Sequence, residues 1–192
     1  MRKIILLFAV LLLCSDLFSQ QEKNAVKIGL LRTGQGAMPM AVSYERSCGE
    51  RVSVQPTFAF GYRRYGVFTT GNVGRRYVFH AGIEGRFYPL MRRGYLMSGL
   101  YAGPFASYDR QLFFDPEFPH PLVKQYWSSV GLTLGYQHSF FRDRLRIDGG
   151  IKWGYRESIS RKVFDTDGGL LYFTPLNFEF SQYAYLQIGI TF

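Results

Sequence analysis

The stretch from Phe178 to Phe192, FEFSQYAYLQIGITF, decides the fold. Counting back in twos from the end puts Phe192, Ile190, Ile188, Leu186, Ala184, Gln182, Phe180 and Phe178 on one side. Thr191, Gly189, Gln187, Tyr185, Tyr183, Ser181 and Glu179 fall on the other. A β-strand sends successive side chains to opposite faces, so this is a strand with one oily and one polar face. It is roughly three times the length of an ordinary strand, and it continues to the final residue, where water-soluble domains fray. Such a strand suits the closing position of a membrane-spanning β-barrel, with its oily face on lipid and its polar face on a lumen.

The same alternation recurs upstream. Strands are expected over about Asn24–Thr33, Met38–Ser47, Arg51–Arg63, Arg76–Pro89, Tyr95–Tyr108, Gln125–Ser139 and Arg144–Glu157, which with the closing strand makes eight. The third alternates strictly: Val52, Val54, Pro56, Phe58, Phe60 and Tyr62 outward, and Ser53, Gln55, Thr57, Ala59, Gly61 and Arg63 inward. In the seventh, Leu145, Ile147, Gly149, Ile151, Trp153 and Tyr155 oppose Arg146, Asp148, Gly150, Lys152, Gly154 and Arg156. Links after the second, fourth and sixth strands are short. Those after the third, fifth and seventh, Arg64–Arg75, Asp109–Lys124 and Ser158–Asn177, are long and read as loops, the middle one because it holds Pro116, Pro119 and Pro121. Short periplasmic turns alternating with long external loops are the habit of outer-membrane barrels. Pro56 and Pro104 lie inside strands that a closed barrel cannot leave unpaired, so a bulge or a strand boundary is expected at each.

Met1–Ser19 reads as a secretory leader: Arg2 and Lys3, then ten apolar residues from Ile4 to Leu13, then a polar exit. Ten are too few to span a bilayer as a helix. The reading is a leader over 1–19 and one barrel domain over 20–192. Cys14 admits a lipidated start instead, against which the bulky Leu13 speaks. Once the leader is removed only Cys48 remains, so no intramolecular disulfide forms. The formal net charge is +9. For an exported barrel, that charge points to lipid headgroups rather than nucleic acid.

With these residues in view, the chain resembles the small eight-stranded outer-membrane β-barrels of the OmpA and OmpX type, and among them those common in Bacteroidota. The resemblance rests on Tyr44-Glu45-Arg46, on Gly85-Arg86-Phe87-Tyr88-Pro89, on the stretch from Gly99 to Pro104 and on the terminal Phe192. It implies an all-β, antiparallel, up-and-down transmembrane barrel in the cell outer membrane, monomeric and without cofactor or metal. It implies partners in the outer-membrane lipids, including lipopolysaccharide. It also implies a signal for the barrel-assembly machinery in Leu186, Ile188, Ile190 and Phe192.

The lumen carries the chemistry. Lys27, Arg63, Arg86, Arg146, Lys152 and Arg156 point inward, with Glu45, Glu84, Asp148 and Glu179 as counter-charges. An eight-stranded barrel is just wide enough for side chains to fill, and buried charge must be paired. An ion-pair network that plugs the barrel is therefore expected, with a structural or surface-interaction role; the alternatives are a narrow ion or small-solute channel and a lipid A-modifying enzyme. Arg63, Arg64, Arg75 and Arg76 form a set at the outer end suited to lipopolysaccharide phosphates. Catalysis finds little footing in His80, His120 and His138. His138 and Ser139 face opposite ways, and the pattern dictates no Ser or Asp beside His80. The acidic run at Asp165 and Asp167 lacks the remaining ligands of a calcium loop and reads as a turn.

Overall fold

The computed structural model describes residues 24–32, 40–66, 73–91, 97–115, 121, 123–141, 144–164, 169–174 and 177–192. The leader, Tyr95, and the Asp165–Asp167 turn lie outside them. Nine strands are present among the described residues: β1 (Asn24–Arg32), β2 (Met40–Ser47), β3 (Val52–Gly66), β4 (Val73–Met91), β5 (Gly99–Phe114), β6 (Val123–Phe140), β7 (Leu145–Phe164), β8 (Leu170–Thr174) and β9 (Asn177–Thr191). Each of β1 to β7 pairs antiparallel with its neighbour in sequence. The strand β9 pairs with both β7 and β1, and so closes a ring of eight. Closure removes the sheet edges that hydrocarbon cannot solvate. At the seam, Phe192 donates its N–H to the Asn24 carbonyl (3.0 Å) and accepts from the Asn24 N–H (3.2 Å).

The residue left over, β8, corrects the expected loop at Ser158–Asn177. Here β7 continues to Phe164, and β8 returns along it, with Arg161 opposite Thr174. Half of Asp109–Lys124 is likewise strand, since β5 reaches Phe114 and β6 starts at Val123. Between Arg64 and Arg75 the β3–β4 ladder persists to Gly66 and Val73. The physical reason is common to all three. Beyond the bilayer a hairpin needs no oily face, so its alternation fades while its ladder hydrogen bonds continue.

Neither proline produces a bulge. Pro56 pairs in register with Ile83 on β4, and Pro104 pairs in register with Leu132 on β6. On the other flank of each the ladder is interrupted without a shift. Pairing of β2 with β3 skips from Ser43–Thr57 to Arg46–Val54, and that of β4 with β5 skips from Glu84–Phe105 to Phe87–Ala102. A missing N–H removes one bond of the ladder, and the barrel absorbs that without re-registering the strands.

The wall is inverted relative to a water-soluble protein. Phe58 (64% exposed), Leu132 (56%) and Ile151 (52%) stand on the outside, while Lys27, Glu45, Arg146 and Asp148 are fully buried within. A soluble β-sandwich would bury the oily faces against each other. This surface instead forms a continuous apolar band far larger than water tolerates on a monomer, and it fits hydrocarbon. Toward the outer end the band carries aromatic pairs, Tyr62 with Tyr77 (5.3 Å between ring centroids) and Tyr108 with Tyr126 (6.4 Å).

Candidate functional site

Glycines make room inside the wall. Gly150 on β7 faces the lumen, and a Cβ there would stand 2.8 Å from the Leu134 carbonyl oxygen and 2.9 Å from Tyr185 Oη. Its absence lets the Tyr185 ring lie across the bore. On this pattern every one of the eight wall strands sends a side chain into a single layer: Lys27, Glu45, Gln55, Arg86, Tyr101, Gln137, Asp148 and Tyr185.

The layer is built around two cations. Lys27 Nζ lies 2.7 Å from Glu45 Oε2 and 2.7 Å from Asp148 Oδ2, and it donates to Gln55 Oε1 (2.9 Å) and to Gln137. Arg86 donates from Nε to Glu84 Oε1 (2.6 Å) and from Nη1 to Asp148 Oδ2 (2.7 Å). It also donates from Nη2 to Tyr185 Oη (3.3 Å), and its guanidinium lies 4.2 Å from the centre of the Tyr101 ring. The carboxylates are satisfied in turn. Glu45 Oε1 accepts from Ser53 (2.5 Å) and Tyr88 (2.7 Å), and Asp148 Oδ1 accepts from Tyr101 (2.6 Å). Tyr101 and Tyr185 share a hydroxyl contact, and Lys152 pairs with the second oxygen of Glu84. Arg146 Nη1 stands farther off, 3.8 Å from Glu45 Oε2.

Seven of the ten expected lumen charges therefore lie together: Lys27, Glu45, Glu84, Arg86, Arg146, Asp148 and Lys152. The other three do not. Arg156 and Glu179 pair with each other at 3.5 Å nearer the outer mouth, and Arg63 is exposed there. The arginine set also divides. Arg63 stands opposite Arg76, and Arg64 opposite Arg75. By strand parity the first two face the lumen and the second two face outward, so the four do not form one surface. Arg64 Nε donates to Tyr62 Oη (3.3 Å) on the outer face, and Arg76 Nη2 donates to Gln111 Oε1 (2.6 Å) inside. Ile188 and Ile190 stand on the lipid side of β9, opposite Ile28 and Val26 of β1, with Leu186 beside Leu31 and Phe192 exposed at the end.

The expectation that His80 has no acid beside it is overturned. Asp109 is its direct cross-strand partner, and His80 Nδ1 lies 2.8 Å from Asp109 Oδ1, both residues being buried. Asp109 was hidden by its assignment to a loop. Carrying the inward parity onward from Tyr101, Gly103 and Ser107 would have found it, and Gln111 with it. The neutral partners of the charged layer, Gln55, Gln137, Tyr88 and Tyr185, also lay on inward positions. What sequence does not show is which of them meet, because that depends on the stagger of the closed ring.

No family model matches the chain, and no curated protein matches it. Among solved structures it is similar to Ail, the attachment invasion locus protein of Yersinia pestis, in complex with the heparin analogue sucrose octasulfate. Identity is 12%, the match covers 90% of this chain and 100% of that one, and the TM-score is 0.52. At that identity the likeness is one of fold. A closed ring of eight antiparallel strands, oily outside and charged within, is the fold of the outer-membrane β-barrels to which Ail belongs.

Proposed function

We propose that this chain is a monomeric, non-enzymatic barrel of the cell outer membrane. Its lumen is plugged, and its outer hairpins make contacts at the cell surface. The observation that carries the reading is the single layer to which all eight wall strands contribute, held by ion pairs of 2.6–2.7 Å at Lys27 and Arg86. Such a layer supports a plug because opening it would leave several buried charges unpaired, each at a cost of several kcal/mol. Above it, β5, β6, β7 and β8 extend the wall outward as ordered sheet, which suits presentation of a surface rather than conduction. The similarity to an attachment protein solved with a heparin analogue agrees with that direction. The His80–Asp109 pair is buried, with His80 6% exposed, which speaks against a catalytic role for it. Arg64 and Arg75, exposed beyond the Tyr62–Tyr77 pair, suit lipopolysaccharide phosphates. Leu186, Ile188, Ile190 and Phe192 serve as the signal to the barrel-assembly machinery.

The test is single-channel recording of refolded protein in a planar bilayer, with folding verified by a heat-modifiable gel shift. A silent bilayer is expected. Discrete openings that disappear on charge reversal at Arg146 or Asp148 would replace the plug with a narrow channel.

A further inference from the structure

The lipid-facing wall is not evenly filled. On the outward side of β4, Ala81 stands in register between Phe58 of β3 and Tyr108 of β5. A methyl group between two rings leaves a gap in the apolar band. The adjoining outward row holds Phe60 and Phe79, with ring centroids 5.1 Å apart, and on β2 Val42 stands opposite Phe58 and Met40 opposite Phe60. Together these side chains line a groove of about 570 Å³ on the outside of the barrel. That volume falls within the roughly 300–1,000 Å³ of small-molecule sites. The lining is apolar nearly throughout, so the groove takes hydrocarbon in preference to water.

The polar exception in that lining is a cation. Arg110 lies two residues beyond Tyr108 toward the outer end of β5, exposed, and directly opposite Phe79 on β4 and Tyr126 on β6. Its guanidinium lies 5.8 Å from the centre of the Tyr126 ring. An arginine set among rings on the lipid side of a barrel is costly in hydrocarbon, which places it at the level of the headgroups, where phosphate is the counter-charge. Two carboxylates in this region are engaged elsewhere. Asp109 turns into the lumen and lies 2.8 Å from His80 Nδ1, and Glu157, outward on β7, accepts from Ser128 Oγ at 3.5 Å. Arg75 is a separate feature, opposite Phe114 and so four residues farther along β5 than Arg110.

We propose that this groove is a seat for one lipid A, the membrane anchor of lipopolysaccharide, with an acyl chain over Ala81 and a phosphate on the Arg110 guanidinium. The inference rests on the reading that the chain is an outer-membrane barrel whose hairpins face outward, and it deepens the lipopolysaccharide contact from a rim of arginines to a defined site. An evenly filled apolar band favours every lipid tail alike. A groove with a guanidinium at its outer end favours a lipid whose tail and phosphate enter together, because the charge-assisted hydrogen bonds of the phosphate add to the burial of the chain.

The experiment is native mass spectrometry of the refolded full-length mature barrel, released from detergent micelles after titration with lipid A or with phosphatidylglycerol. Each variant is first checked for folding by gel shift. The wild type is expected to retain one lipid A and to hold phosphatidylglycerol more weakly. Arg110→Gln is expected to weaken lipid A retention about tenfold. Ala81→Phe fills the groove and leaves every charge in place, and a loss of about the same size is expected; Ala81→Leu serves the same purpose if the larger ring prevents folding. Arg64→Gln and Arg75→Gln are expected to leave the retained lipid in place. Retention that the Arg64 and Arg75 variants abolish and the Arg110 and Ala81 variants keep would overturn the groove and leave the rim of arginines as the lipopolysaccharide contact. Equal retention of phosphatidylglycerol, or lipid A retention that Ala81→Phe removes and Arg110→Gln does not, would reject lipid A as the occupant. A folded wild type that retains no lipid A would overturn both the groove and the rim.

Discussion

Arg86 reaches across the bore from β4 and places Nη1 2.7 Å from Asp148 Oδ2 on β7. The two strands are not neighbours in the ring. The contact is therefore a strut across the barrel rather than a rung of its wall, and it ties opposite sides together through charge.

Asp148→Asn should be among the most damaging single substitutions. It removes the charge that Arg86 and Lys27 both face at 2.7 Å and leaves two buried cations with one carboxylate fewer. A loss of about 3–5 kcal/mol is expected, read as the shift of the urea unfolding midpoint in detergent micelles. The Lys27→Met/Asp148→Asn double variant should lose less than the sum of the two single variants, because the two groups share one contact.

Glu84→Gln is milder. Glu84 Oε1 accepts from Arg86 Nε at 2.6 Å, and its other oxygen pairs with Lys152. A neutral amide keeps one acceptor and loses the charge, so about 1–3 kcal/mol is expected, seen as a lower melting temperature on the gel-shift assay. An unchanged melt would remove Glu84 from the structural account of the layer.

Adjacent glycines on β7 should behave oppositely. A methyl group at Gly150 would press on the Leu134 carbonyl oxygen and Tyr185 Oη, at 2.8 and 2.9 Å, inside the close-packed bore. At Gly149 it would meet Leu186 Cδ1 at 3.6 Å, an ordinary contact on the lipid side. Gly150→Ala should cost about 1–3 kcal/mol, and Gly149→Ala should unfold at the wild-type urea concentration.

The lipid face can be tested one residue further on. Ile151 is 52% exposed and stands between Leu134 and Ala184 on neighbouring strands. Ile151→Arg should destabilise the barrel by roughly 2–4 kcal/mol in a bilayer, measured as folding yield into lipid vesicles. Equal yields for Ile151→Arg and wild type would place that position outside the hydrocarbon.

The parts of this structure that sequence reveals are those that the bilayer enforces. Phe178–Phe192 and Leu145–Tyr155 alternate because one face must be oily and the other cannot be, and both form wall strands in the expected orientation. Asp109 and Gln111 were hidden because they sit where β5 leaves the hydrocarbon and the outward residues no longer need to be apolar. The prolines after Phe114 then suggested a loop several residues too early. The charged layer was legible as a set of inward residues and not as a set of contacts. Lys27 and Asp148 are separated by most of the chain, and only ring closure with its particular stagger brings Nζ to Oδ2. Arg63 and Glu179 share the inward parity yet sit at the mouth, because parity gives the face of a strand and says nothing of depth.

On either side of Pro175 and Leu176 the chain keeps one and the same alignment with β7, Thr174 opposite Arg161 before them and Asn177 opposite Ser158 after them. The number of residues between Thr174 and Asn177 therefore sets the register that β8 takes on β7. Removing or adding a single residue there would turn β8 over, exchanging the side chains it shows to the two sides of the outer hairpin. A change of two would only slide it. Among relatives and engineered variants alike, length at this point should vary in even steps.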